Sequence, residues 1–147
     1  MIYKALLTMT ALLSMTVFAD ETTQQNKRLV VDFYNEVILQ ARHREIDNYI
    51  GEQYIQHNPN LPDGKDPLRS FLQRLNPESI AKSPSGKIIR AIAEGDLVVL
   101  HVEYFNWPTN RGGAVMDIFR VDEGKIVEHW DVIQAIPETF ANDNTMF

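Results

Sequence analysis

Two aspartates and a histidine near the C-terminal end of the chain, Asp117, His129 and Asp131, are the residues best placed to do chemistry. They lie in V-M-D-I-F-R-V-D-E-G-K-I-V-E-H-W-D-V-I-Q, residues 115–134, where two apolar, β-branched runs flank the polar turn Asp122-Glu123-Gly124. That pattern predicts a β-hairpin. A three-residue loop, a type I turn followed by a left-handed residue, would use Gly124 as that residue. Val121 then pairs with Lys125, Phe119 with Val127, Asp117 with His129 and Val115 with Asp131. Side chains alternate between faces, so this set shares one side, which Val115, Phe119, Val127 and Ile133 mark as the buried one. A two-residue loop over Glu123-Gly124 is the alternative register. It would set Asp117 opposite Trp130 and part it from His129.

Carboxylates and an imidazole on an apolar wall suit general acid–base catalysis, worth roughly 10²–10⁴-fold in rate. Burial raises the pKa of an aspartate and makes it a stronger base, while a protonated His129 would act in the opposite sense. Other chemistries lack their residues. The chain has no cysteine, so it has no thiol nucleophile and no disulfide. It also has no Gly-x-Ser-x-Gly elbow and no Gly-rich phosphate loop. Histidine and carboxylate can hold zinc or iron, but no His-x-x-x-His pair is present, so no metal site is assigned and no cofactor is expected.

The elements that must position these groups follow from periodicity. Lys4 and the apolar run Ala5–Phe18, closed by Ala19, predict a signal peptide cleaved after Ala19. An uncleaved anchor is the alternative. The expectation is an exported protein, periplasmic or secreted, with residues 20–147 as a single domain. A formal charge of −6 without a basic cluster argues against nucleic acid or anionic membrane as partners. Apolar residues at Leu29, Val30, Phe33, Tyr34, Val37, Ile38 and Ala41 predict a long first helix. Ile46, Tyr49 and Ile50 predict a short second one ending near Gly51. Tyr54 to Gly64 reads as an ordered loop. Asp66-Pro67 starts a third helix, which Asn76-Pro77 stops, and Glu78–Gly86 is a loop. Strands are expected over Lys87–Ala93 and Leu97–Trp107, then in the hairpin. Three helices followed by four antiparallel strands give an α+β fold with the helices on one face of the sheet.

Two motifs in that order resemble the SnoaL-like polyketide cyclase family, of the nuclear transport factor 2-like superfamily. They are Tyr54-Ile-Gln-His57-Asn58-Pro59 after the helices, and Asp117-x-Phe119-Arg120-x-x-x-Gly124-Lys125-Ile126-x-Glu128-His129-Trp130-Asp131 at the end. The resemblance spans about Lys27 to Ile136. It implies a cone-shaped curved sheet closed by the helices around a pocket. It also implies dimers through the outer sheet face, here Met116, Ile118 and Trp130, and aldol-type chemistry without metal or cofactor. The family's acid/base, in its last strand, matches Asp131. Asp117 matches a pocket position that antibiotic cyclases often fill with histidine.

On this reading Asp131 is the acid/base, and Asp117 and His129 orient it or share its proton. His57 or Asn58 donates to the substrate oxygen. Tyr34, Tyr54, Val115, Phe119 and His101 complete the substrate-binding set, although His101 sits mid-strand where either face is open to it. His43 is expected in solvent. The functions left open are a cofactor-independent enzyme on a small apolar carbonyl compound, a non-catalytic binder of a hydrophobic ligand, and a dimeric interaction module.

Overall fold

The computed structural model describes residues 21–75, 78, 80 and 84–147. The expected signal peptide, the Asn76-Pro77 stop and part of the Glu78–Gly86 loop lie outside the described residues. Helix α1 (21–33) buries the expected stripe, with Val30 and Phe33 fully enclosed. It then widens into a π turn at Tyr34–Ile38. Such turns often mark functional sites, and this one starts at Tyr34, a residue of the cavity described below. The helical run ends at Ile38, short of the expected Ala41, and a turn over residues 39–41 follows, with Ala41 at φ 51°.

A 3₁₀ turn at His43–Glu45 leads into α2 (Ile46–Tyr49). The next segment departs from expectation. Instead of a helix running to near Gly51 and a loop from Tyr54, the chain forms a strand, β1 (Ile50–Gln56). Helix α3 (Lys65–Arg74) starts two residues earlier than expected, with Gly64 at φ 93° as its N-cap in place of Asp66. Its apolar side buries Leu68 and Leu72. Four strands follow: β2 (Gly86–Glu94), β3 (Leu97–Tyr104), β4 (Gly113–Asp122) and β5 (Lys125–Ala135).

The sheet order is β1-β5-β4-β3-β2. β2 to β5 form the expected antiparallel meander, but β1 lies parallel to β5. The sheet is therefore mixed and five-stranded, curled but not closed, with β1 and β2 as its edges. β1 escaped sequence reading because its pairing with β5 is irregular between Ile50 and Ile55. Between its two buried residues, Ile50 and Tyr54, the charged Glu52 is exposed, so the apolar alternation of period two that betrays a strand is interrupted. The α+β class holds. One core joins Val30, Phe33, Val37 and Leu72 of the helices to Val98, Leu100, Val102, Val115 and Phe119 of the sheet. No helix among the described residues is long and apolar enough to cross a membrane.

The hairpin register differs from both expectations. Asp122 pairs with Lys125 across a two-residue loop, Glu123-Gly124, with both loop residues at positive φ. A bulge then separates the pairs Val121–Ile126 and Arg120–Glu128. The shorter loop shifts the pairing by one residue and would turn β5 over. The bulge adds one residue and turns it back. Ile126, rather than Val127, is the fully buried residue near the turn. Beyond the bulge Phe119 faces His129, Asp117 faces Asp131 and Val115 faces Ile133. The three ionisable groups therefore keep the expected inward face with a different pairing.

Candidate active site

Between the helices and the concave face of the sheet lies a cavity of about 390 Å³. Its walls are apolar, drawn from Phe33, Leu68, Leu72, Trp107, Val115 and Phe119 among others. Most of its polar groups are grouped: Asp117, His129 and Asp131 from the hairpin, Gln56 at the end of β1 and Asn58 just beyond it, Tyr34 from the π turn, and Tyr54 and Tyr104; Asn60, Arg74 and Ser85 also line it.

Asp117 is almost completely buried. One carboxyl oxygen, Oδ2, accepts from the Tyr34 hydroxyl at 2.8 Å, and the other, Oδ1, lies 2.9 Å from His129 Nε2. Tyr34 and Tyr104 hydroxyls touch at 3.1 Å. The His129 ring stacks on Phe119, with centroids 4.6 Å apart, and its Nδ1 lies 2.8 Å from Gln56 Oε1. Asp131 is half-buried, and its Oδ2 accepts from Asn58 Nδ2 at 2.5 Å. The Asn58 amide is oriented by its own oxygen, which accepts from the Asn60 backbone N–H at 2.8 Å.

Burial raises the Asp117 pKa, an effect that the hydrogen bond and charge of His129 oppose and the Asp131 charge reinforces. Two aspartates directly across a hairpin repel when both are ionised, so the floor favours holding a proton on one side. Burial, followed by the charge of Asp117, lifts the hydroxyls of Tyr34, Tyr54 and Tyr104 above their usual range. All three stay protonated at neutral pH and can donate.

The shift of Asp117 has a measurable consequence. A carboxyl group whose pKa is higher in the folded chain stabilises the fold most below its unfolded value of 3.8. That contribution is lost as pH rises through the folded value. Asparagine mimics the protonated acid, with its oxygen accepting from Tyr34 and its amide donating to His129 Nε2. Asp117→Asn should therefore melt at or above the wild-type temperature at neutral pH and lose this part of the pH dependence. Thermal melts between about pH 4 and 8 would check this. A variant that melts lower at neutral pH, with the wild-type slope, would contradict it.

The donor atoms of Asp117, His129 and Asp131 lie within 4.8 Å of one another, close enough to share a cation. Each group already has a protein partner, and a cation would have to displace the Asp117–His129 hydrogen bond. Dialysis against EDTA should leave the melting temperature unchanged. A metal present at 100 times its Kd would add about 2.7 kcal/mol, so a clear rise on adding zinc or manganese would reassign the cluster.

Two expected site residues lie elsewhere. His57 does not line the cavity. It follows β1, where its N–H donates to the His129 carbonyl at 2.9 Å, and strand alternation sends its side chain outward. There Nε2 meets Glu128 Oε1 at 2.8 Å and the ring stacks on Trp130 at 4.7 Å. His101 sits opposite Met116 on the outer face, with Nδ1 2.8 Å from Arg90 and its ring stacked on Phe147. His43 is only half-buried, yet its Nδ1 is enclosed and has no hydrogen-bond partner among the described residues. Asn58, Tyr54, Tyr34, Val115 and Phe119 line the cavity as expected. Gln56 was missed. Read as a strand, Tyr54-Ile-Gln56-His-Asn58 puts alternate residues on one face, and that alternation was the available signal.

A family model described as SnoaL-like domain matches residues 30–129. No curated protein matches. Solved structures with similar folds include a candidate polyketide cyclase of Acidithiobacillus ferrooxidans (17% identity, TM-score 0.57, covering 74% of this chain and 87% of that one). A candidate ketosteroid isomerase of Kribbella flavida aligns at 14% identity and TM-score 0.62, over 82% of this chain and 85% of that one. An LEH-like epoxide hydrolase of M. tuberculosis aligns at 19% identity and TM-score 0.56, over 77% and 85% of the two chains. At such identities the likeness is one of fold.

Proposed function

The chain belongs to the SnoaL-like domain family, and on that footing we propose that it is a cofactor-independent acid/base enzyme acting on a small apolar carbonyl compound. The reaction is of the aldol-condensation, isomerase or hydratase type. One observation carries this reading. Asp117, His129 and Asp131 converge among the lining residues of a largely apolar cavity. At about 390 Å³ it lies toward the small end of ligand pockets, which span roughly 300–1,000 Å³.

Asp131 is the base. Asn58 holds one of its oxygens and leaves the other to take a proton from the carbon beside the carbonyl. The electron pair of that C–H bond moves toward the carbonyl oxygen. The Asp117–His129 pair supplies the proton that neutralises this oxygen. Returning the first proton to another carbon gives an isomerisation, and attack of the enol on a second carbonyl gives an aldol product. His57, held outside the cavity, has no part in these steps, and Asn58 acts by orienting Asp131.

The same proposal places the mature protein outside the cytoplasm, supported by Lys4 and the apolar run Ala5–Phe18. It also includes a homodimer through the outer sheet face, where Met116 and Val132 are exposed beside Ile118 and Trp130. The test of function is exchange of α-protons for deuterium in small ketones and aldehydes dissolved in D₂O, followed by proton NMR. Catalysed loss of the α-proton signal is expected for at least one compound. Tight binding of such compounds with no exchange would favour a ligand-binding protein.

A further inference from the structure

The oxygen of the Gln56 side chain is a meeting point of two donors. The Asn58 backbone N–H donates to Oε1 at 2.9 Å, and His129 Nδ1 lies 2.8 Å from the same atom. A backbone amide can only donate, so the Gln56 oxygen must face this junction. Its own amide nitrogen turns toward the Tyr54 hydroxyl, 3.4 Å away. An acceptor at hydrogen-bond distance from Nδ1 requires the proton to be on Nδ1. The other ring nitrogen, Nε2, is 2.9 Å from Asp117 Oδ1. With Nδ1 protonated, one further proton must lie in that contact, on the nitrogen or on the carboxyl group. Otherwise a lone pair would face a carboxylate oxygen.

We propose that Gln56 is a positioning residue: its carbonyl oxygen locks a proton on His129 Nδ1, and so keeps one transferable proton between His129 Nε2 and Asp117. Without that acceptor, neutral His129 can carry its proton on Nε2 and donate to an ionised Asp117. The pair then holds one proton fewer and has none to give to a substrate oxygen. The lock thus sets the proton count of the floor, not merely the angle of a ring. The other titratable or charged groups lining the cavity with the pair are Asp131 on β5 with His129, Tyr34 from the π turn, Tyr54 on β1, Arg74 at the end of α3 and Tyr104 on β3. The inference rests on the acid/base reading of this cavity only where turnover is concerned.

The test is ¹⁵N NMR of the His129 ring nitrogens in the full chain. Wild type should show a protonated Nδ1 throughout about pH 6–8, the range where an ordinary histidine changes state. Gln56→Leu should shift the proton to Nε2, and Gln56→Glu, which keeps an oxygen acceptor, should restore it to Nδ1. If α-proton exchange is found, Gln56→Leu should lower kcat on the order of 10- to 100-fold with KM little changed, and Gln56→Glu should recover part of the loss. An unprotonated Nδ1 in the wild type, or nitrogen shifts that Gln56→Leu leaves unchanged, would overturn the proposal. If the lock is observed but no compound exchanges, the proton lock stands and the enzymatic reading fails.

Discussion

Asp131→Asn should lower turnover by about 10²–10⁴-fold on any substrate whose α-proton the enzyme exchanges. The replacement keeps the size of the side chain and leaves an oxygen to accept from Asn58 Nδ2, which now lies 2.5 Å from Asp131. The cavity should hold its shape, and affinity for a bound ketone should change little. What is lost is a group able to take a proton from carbon. The loss should therefore fall on kcat, the signature of an interaction needed for the chemical step. Activity within a few-fold of wild type would remove Asp131 from the base role.

Phe119→Ala should destabilise the fold by about 3 kcal/mol, the low end of the usual cost for removing a buried Phe. The ring is fully covered and packs edge-on against Phe33 and Tyr34, at 5.9 and 6.1 Å, while His129 stacks on it. The cost should sit at the low end because part of the ring borders the cavity, where fewer contacts are lost. A melting temperature lower by roughly 6–12 °C is the expected reading. The enlarged cavity should also let the His129 ring move, so exchange activity should fall with stability. A melting temperature within about 2 °C of wild type would show that Phe119 is not part of the packed wall.

The class of the fold was legible because its strongest signals are local. The apolar stripe of α1, the Gly-containing turns and the β-branched runs of β3 to β5 each announce their element. The inward face of Asp117, His129 and Asp131 was legible as well, for a less direct reason. A shortened turn and a bulge each move the register by one residue, and the two shifts together restore the alternation of faces. Which residue faces which could not be read, since bulges leave no fixed mark in sequence. β1 was hidden because its pairing with β5 is irregular and parallel, so no adjacent hairpin announces it. Missing that strand cost two assignments at once. His57 was given a cavity role although the strand direction turns it outward, and Gln56 was passed over although the same alternation turns it inward. His101 failed in another way. Its face depends on pairing with Met116, and nothing local to it fixes that.

The measurement that bears most directly on the central claim, a proton held at the floor of the cavity, is ¹³C NMR titration of the Asp117 carboxyl carbon in the folded protein. Burial outweighs the hydrogen bonds in the structure, so the midpoint should lie clearly above the ordinary aspartate value of about 3.9. A midpoint at or below that ordinary value would contradict a proton stored on the Asp117 carboxyl: the floor would then be an ion pair, with the shared proton on His129 Nε2.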